Sequence, residues 1–256
     1  MGKADAMKQF RLLLRHLVMA LLLPRPVIGL FYLPRFFGHW IKYARLAPDT
    51  KIRFIDMQPC LGDWSSHTPF DAHYFYQGAW LARRLRTTKT DRHVDIGSSA
   101  LTMSVLSAYV ETTFVDYRPL KVSLPGLTSI AGDILDMPFA DGSVNSLSCL
   151  HVIEHIGLGR YGDPIDPQGT TKAALELQRI ISSGGRLFLS LPIGRERICF
   201  NAHRVHAPAT VLEMFSQMKL VEFSCVDDAG NYHEAKPIEF ASHLEYGCGM
   251  FHFEKL

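Results

Sequence analysis

From residue 71 onward, apolar and polar positions switch repeatedly between helical and strand periodicity. Over 71–86, Tyr74, Phe75, Ala79, Leu81, Ala82 and Leu85 recur at helical spacing; Asp71 stands where a helix is capped, and Arg83, Arg84 and Arg86 stand where cations oppose the helix dipole. Short runs with strand character follow at 93–96, 113–116, 128–131, 144–150, 186–191, 220–226 and 249–253. Helical segments over 101–110, 170–181 and 207–218 separate several of them, and Ser182-Ser183-Gly184-Gly185 supplies a stop after the second. Strands alternating with helices predict an α/β domain. The expected architecture is a doubly wound, mostly parallel sheet of seven strands whose ligand lies beyond the strands' carboxyl ends.

Residues 1–48 break this pattern. The run 12–23 is strongly apolar, but Arg15, Arg25 and Arg35 interrupt the segment, as do Pro24, Pro26 and Pro34. No uninterrupted apolar stretch approaches the roughly 20 residues a membrane-crossing helix requires. Phe31, Tyr32, Phe36, Phe37 and Trp40 then mix with Arg35 and Lys42, a combination suited to the headgroup level of a bilayer. The expectation is two parts: a basic apolar helical extension over 1–48, with residues 8–46 lying on an anionic membrane surface or packing as a lid, and an α/β domain over 49–256. This places the protein in the cytoplasm, peripheral to the inner face of a membrane.

Charge sharpens the division. Residues 1–47 carry eight Lys and Arg against one acid, whereas the remainder carries nineteen against twenty-four. An acidic main domain argues against a nucleic-acid partner. Hydrophobic residues at 47% and charged residues at 20% are ordinary for a globular protein. The five cysteines show no C-x-x-C spacing, which excludes a zinc knuckle and a disulfide framework of the usual kind and indicates a reducing compartment. Nothing in the sequence sets the oligomeric state.

The most informative stretch is His93-Val94-Asp95-Ile96-Gly97-Ser98-Ser99, followed one helix later by Thr113-Phe114-Val115-Asp116-Tyr117. A strand ending in a small-residue turn brings backbone N–H groups close to a ligand, and an acid at the end of the next strand can accept both hydroxyls of a ribose. Further along stand Gly132-Asp133-Ile134-Leu135-Asp136-Met137-Pro138-Phe139-Ala140-Asp141-Gly142-Ser143-Val144, then Leu150-His151-Val152-Ile153-Glu154-His155, then Ser183-Gly184-Gly185-Arg186-Leu187-Phe188-Leu189-Ser190-Leu191-Pro192.

Taken together over about residues 71–226, these runs resemble the class I S-adenosylmethionine-dependent methyltransferases, and Gly159–Asp166 and Tyr246–Phe251 resemble an uncharacterised branch of them. The resemblance implies a Rossmann-like fold with S-adenosylmethionine as cofactor. It implies that Asp95 and Gly97, with Ser98 and Leu150 beside them, hold the methionine part. Asp116 binds the ribose, Tyr117 packs on the adenine, Asp133 meets the adenine amino group, and the Ile134 backbone meets a ring nitrogen. Ser98 and Ser99 stand where the family usually has further glycines.

For transfer to a hydroxyl, a histidine neutral at pH 7 is a suitable base. His151 is the first choice, His203 the second, and Asp163 or Asp166 the third. Asn201, His203, Arg204 and His206 could line the acceptor site or serve only as capping and surface residues. His151-x-x-Glu154-His155 also spells an inverted zinc-protease pattern. Placed at the end of a buried strand, it lacks assured helical spacing, so no metal is expected, and Glu154 and His155 are assigned to bonding the loop. The acceptor is expected to be a small molecule or glycolipid, with a sugar hydroxyl favoured over a quinone or polyprenyl lipid. A methyltransferase fold that binds without catalysing is the rival reading, with Ser98-Ser99 as its trace.

Overall fold

The computed structural model describes residues 31–52, 57, 59–61, 64 and 66–256. The apolar run 12–23 and the greater part of the proposed membrane segment therefore lie outside the described residues. The chain forms two compact units, residues 1–69 and 70–256. Residues 49–69, included in the expected α/β domain over 49–256, fall in the first unit.

In the first unit, α1 (Leu33–Leu46) begins at a Pro-containing first turn and ends with Arg45 in its last turn. None of its residues is buried within the unit. The Arg35 guanidinium lies 4.2 Å over Trp64 and 4.8 Å over Tyr32, and donates to the Leu61 carbonyl at 3.3 Å. Among the described residues, no helix is long and apolar enough to cross a membrane.

The second unit runs α2 (Ala72–Thr87), β1 (Arg92–Ile96), α3 (Ala100–Leu106), β2 (Glu111–Asp116), β3 (Leu127–Ala131), β4 (Val144–Leu150), a 3₁₀ turn (Ile153–His155), α4 (Gly169–Ile180) and β5 (Ile181–Ile193). It continues through β6 (Arg197–Cys199), β7 (His203–Val205), α5 (Pro208–Met214), β8 (Met218–Val226), β9 (Tyr232–His233), a second 3₁₀ turn (Ile238–Ala241) and β10 (Gly247–Lys255). The main sheet has the order β3-β2-β1-β4-β5-β10-β8-β9, and β6 and β7 pair as a separate ribbon. Strands β1 to β5 are mutually parallel; β10 runs antiparallel to β5 and β8, and β9 antiparallel to β8.

Side-chain alternation builds two cores. On one face, Trp80, Leu81 and Leu85 of α2 and Met103 and Leu106 of α3 pack with Phe114, Leu150, Phe188, Cys248 and Met250. On the other, Ala173, Leu177 and Ile180 of α4 and Val211 of α5 pack with Leu189, Leu191 and Phe251. Strands covered on both faces read as continuous apolar runs, and such runs do not encode direction. This is why β10 was legible as a strand but not as antiparallel. The expected seven strands become eight because Tyr232–His233 adds an edge strand too short to show a period. The stretch 197–205, where no strand was expected, folds back as the ribbon. Ser182-Ser183-Gly184-Gly185 does stop α4, yet it lies within β5 as an irregularity: Val144 pairs with Ile181, whereas Ser146 pairs with Arg186.

Candidate active site

The glycine turn and the two acids come together at the carboxyl ends of β1, β2 and β3. Gly97 is left-handed (φ +64°), and a Cβ built on it would lie 3.3 Å from Val152 Cγ1 and 3.9 Å from Asp116 Oδ2. The left-handed backbone and the nearby Val152 side chain both favour glycine here, and the Asp116 carboxylate faces the turn. Asp116 Oδ1 accepts the Arg118 N–H at 2.7 Å. The Asp116 carbonyl accepts the Gly132 N–H at 3.2 Å, tying the end of β2 to the turn that carries Asp133. Asp133 is exposed and Oδ1 accepts the Leu135 N–H at 2.9 Å, which leaves its second oxygen for an amino group. Tyr117 is 76% exposed, so its ring has a free face, while Ile134 sinks its side chain into the core and has only its backbone to offer. Gly97, Asp116 and Asp133 thus set a left-handed glycine turn and two carboxylates at three adjacent strand ends, groups that could hold a nucleoside.

Asp95 and Leu150 are built into the scaffold beneath the turn. Asp95 is fully buried: Oδ1 accepts the Ser98 N–H at 3.1 Å and Oδ2 accepts the Ser148 hydroxyl. Burial pushes its carboxyl up to about 6, against the hydrogen bonds from Ser148 and Ser98. Behind it, His93 bridges Ser148 at 2.8 Å and Ser146 at 2.8 Å. Because Ser148 gives its only proton to Asp95, it accepts from His93 Nε2–H, and Nδ1 accepts from Ser146. Burial lowers this imidazole to about 3, so it is neutral. Asp95 shapes the turn from below, with both carboxylate oxygens engaged by the protein. Leu150 is buried and donates its N–H to Ser98 Oγ at 2.9 Å, so neither its side chain nor its N–H is available. That bond commits the Ser98 hydroxyl to the scaffold as well.

At the ends of β4 and β5, aromatic rings form a continuous chain. His151 stacks on Tyr74 at 5.3 Å and on His73 at 5.5 Å; Tyr246 lies 5.4 Å from His73 and 5.4 Å from His203; His155 lies 6.4 Å from His203. His73 and Gln77 share one face of α2, and Gln77 accepts the Ser190 hydroxyl of β5, which sets the helix over the strand ends. Burial, with His151 beside it, lowers His73 to about 4, and burial also lowers His155 and His203. Tyr246 is pushed up to about 12 by burial.

The neighbours of His151 argue against its assignment as base. Nδ1 lies 2.8 Å from Glu154 Oε1, with side-chain exposures of 6% and 0%. Burial would lower this imidazole, but the Cys248 sulfur and the Glu154 carboxylate outweigh it and raise it to about 10. Nδ1 is committed to Glu154 and Nε2 is buried, so neither ring nitrogen is placed to take a proton from an acceptor. His203, half-buried and neutral, remains suited to that role.

Asp163 is also reassigned. Its Oδ2 accepts the Gly157 and Gly159 N–H groups at 2.7 and 3.3 Å, and Oδ1 accepts the Tyr161 N–H at 3.2 Å. These bonds hold its carboxyl below the usual range despite partial burial. Asp166 is bound by the Gln168 N–H at 2.9 Å and Lys172 Nζ at 2.7 Å. Arg204, buried, donates to the Ile156 and Asp166 carbonyls at 2.6 and 3.2 Å. All three lock the loop after β4. Gly157 is the pivot of that loop: φ is +83°, and an added Cβ would sit 2.0 Å from the Asp166 carbonyl. Gly157→Ala is expected to lower stability by at least about 2 kcal/mol in urea unfolding, through strain and a backbone clash together. An unchanged midpoint would contradict this packing.

His73, Tyr74 and Tyr246 were missed in the sequence. Tyr74 was read only as an apolar helix position, and nothing local marks His73 as facing the strand ends. A concavity of about 750 Å³ also opens at the amino edge of the sheet, lined in part by Asp91, Arg92, Glu111, Ser146 and Arg186. It lies away from the glycine turn, and ligands of parallel sheets bind at the other edge.

Comparison with known proteins bears on the fold. A family described as Caenorhabditis protein of unknown function, DUF268, matches residues 140–244. Among curated proteins, none matches the sequence significantly. Solved structures do. The [4+2]-cyclase SpnF is 12% identical with a TM-score of 0.53, covering 70% of this chain and 80% of its own. A putative sarcosine dimethylglycine methyltransferase from Galdieria sulphuraria is 14% identical with a TM-score of 0.53, covering 71% and 86%. A geranyl diphosphate methyltransferase solved with GPP and sinefungin is 12% identical with a TM-score of 0.52, covering 71% and 77%. At such identities the likeness is one of fold, and the fold of this protein is that of the class I S-adenosylmethionine-dependent methyltransferases.

Proposed function

We propose that the protein transfers the methyl group of S-adenosylmethionine to a hydroxyl oxygen of a sugar or lipid-linked acceptor. The observation that carries this reading is the Gly97 turn, left-handed and facing the Asp116 carboxylate, with Asp133 at the end of the next strand. Gly97 gives the donor close backbone approach, Asp116 takes the ribose hydroxyls, and Asp133 and Tyr117 take the adenine. Bound there, S-adenosylmethionine supplies an electrophilic methyl group. His203 takes the proton that the acceptor hydroxyl loses as its oxygen forms the new bond to carbon. Tyr246 and His73 line the approach with polar ring edges suited to a sugar.

The membrane part of the reading assigns residues 8–46 to an anionic surface at the inner face of the membrane. Helix α1 supports it with exposed Phe37 and Ile41 on the same helix as Arg35, Lys42 and Arg45. A geranyl diphosphate methyltransferase shares the fold, which keeps a polyprenyl acceptor in view. The rival reading, a fold that no longer transfers methyl groups, is favoured by one finding: a [4+2]-cyclase has the same fold.

Calorimetry with S-adenosylhomocysteine tests the donor site. Asp116→Ala is expected to weaken binding by about 1.5–3 kcal/mol, roughly 10- to 150-fold, because a charged hydrogen-bond acceptor is lost. Equal affinity in the variant removes Asp116 from the site. Incubation with methyl-labelled S-adenosylmethionine and a membrane lipid extract separates the two readings. Label entering the glycolipid fraction supports transfer, and donor binding without any label supports the rival.

A further inference from the structure

We infer that His73, His151 and Cys248 form a binding site for a divalent transition-metal ion, zinc by ligand class. A ring nitrogen of each histidine and the cysteine sulfur all lie within 4.8 Å of one another. Two imidazoles and a thiolate are the borderline-soft ligands zinc prefers, and three protein ligands leave a fourth position open.

A second observation points to the same place. His151 Nδ1 is committed to Glu154 Oε1 at 2.8 Å, while Nε2 is buried with no hydrogen-bond partner. An orphaned ring nitrogen in a side chain only 6% exposed is costly unless something occupies it. A carboxylate holding the far nitrogen of a histidine is the arrangement that orients histidine ligands toward metals. The ion displaces the protons of His151 Nε2 and Cys248 on binding and takes over as the positive partner of Glu154, whose Oε2 is likewise buried without a hydrogen bond.

The three ligands are set by the fold. His73 sits in the first turn of α2, one turn before Gln77, which is bonded to Ser190. The His151 N–H donates to the Ser190 carbonyl at 2.8 Å. Cys248 pairs with Pro192 of β5 and Val226 of β8 and is fully buried. The site is not the one the H-x-x-E-H spelling suggests. The Nδ1 of its second histidine, His155, is bonded to the Ala202 carbonyl at 2.6 Å, and the remaining ligands come from distant parts of the chain. The expectation of no metal rested on that local pattern and on the absence of C-x-x-C spacing, neither of which bears on ligands from three separate elements. The inference stands apart from donor binding at Gly97 and Asp116.

The test is a titration of the chelator-stripped full chain with cobalt(II), then zinc(II), followed by absorption spectroscopy. The expected result is saturation at a single equivalent, with tetrahedral visible bands and a sulfur-to-cobalt charge-transfer band in the near ultraviolet that zinc removes. Cys248→Ser should abolish the charge-transfer band. His73→Gln, at a half-buried position that leaves the core intact, should weaken cobalt binding while circular dichroism stays unchanged. Glu154→Gln should weaken it by about 10- to 100-fold. No saturable band in the folded wild type, a band that survives Cys248→Ser, or cobalt affinity unchanged in His73→Gln would overturn the site.

Discussion

Glu154→Ala is expected to lower the unfolding free energy by about 3–5 kcal/mol, because it leaves His151 buried without its counter-charge. The pair is closed on all sides: the oxygen–nitrogen distance is 2.8 Å and the Glu154 side chain has no exposed surface. Water cannot replace the lost carboxylate, so the imidazole either stays charged in an apolar setting or gives up its proton; both routes cost stability. Urea unfolding in the presence of a chelator measures the loss without interference from bound metal. His151→Asn completes the comparison, since His151 has φ +56° and asparagine tolerates that backbone. In the His151→Asn background, Glu154→Ala should cost much less, because the partner is already gone. A single-variant loss below about 1 kcal/mol would mean the pair is solvated and the assignment of charge to His151 is wrong.

His203→Ala is expected to reduce turnover by about 10²- to 10⁴-fold, the range for loss of a general base, with binding of S-adenosylhomocysteine unchanged. Burial holds the His203 imidazole below 6.5, so the neutral form dominates at pH 7 and the acid limb of kcat should fall below pH 6.5. The groups around it act in both directions: Glu154 raises it, whereas His155, His151 and Arg197 lower it, and the Tyr246 ring stands 5.4 Å away. A base gives a loss in kcat and a flattened acid limb in the variant. A change confined to KM, with the acid limb retained, would reduce His203 to a wall of the acceptor pocket.

The parts of the site that could be read from sequence are those built from neighbours in the chain. Gly97 closes a strand, Asp116 closes the next, and Asp133 follows the third; each role depends on local turn geometry, and the three strands lie in adjacent order β3-β2-β1. What escaped depends on contacts across the sheet. Asp95 belongs to the same motif, yet its alternating direction in β1 turns it inward toward Ser148, and a sequence does not show which face of a doubly covered strand meets a ligand. His151 looked like a free base until Glu154 and Cys248 were placed beside it. Asp163 looked like a second carboxylate for chemistry, but loop closure directs three backbone N–H groups at it. His73 faces the strand ends only because Gln77, one turn later, is pinned to Ser190, a contact between residues 113 positions apart. The direction of β10 was hidden because burial on both faces erases the period that would reveal it, and β9 because two residues are too few to show one.

The central claim is that the donor's nucleoside sits where β1, β2 and β3 end. A crystal structure of the full chain soaked with S-adenosylhomocysteine addresses it most directly. The ribose hydroxyls should lie within hydrogen-bond distance of the Asp116 carboxylate, with the adenine between Tyr117 and Asp133. Density for the ligand in the concavity at the opposite edge of the sheet, or at the carboxyl edge but out of reach of Asp116, would contradict it.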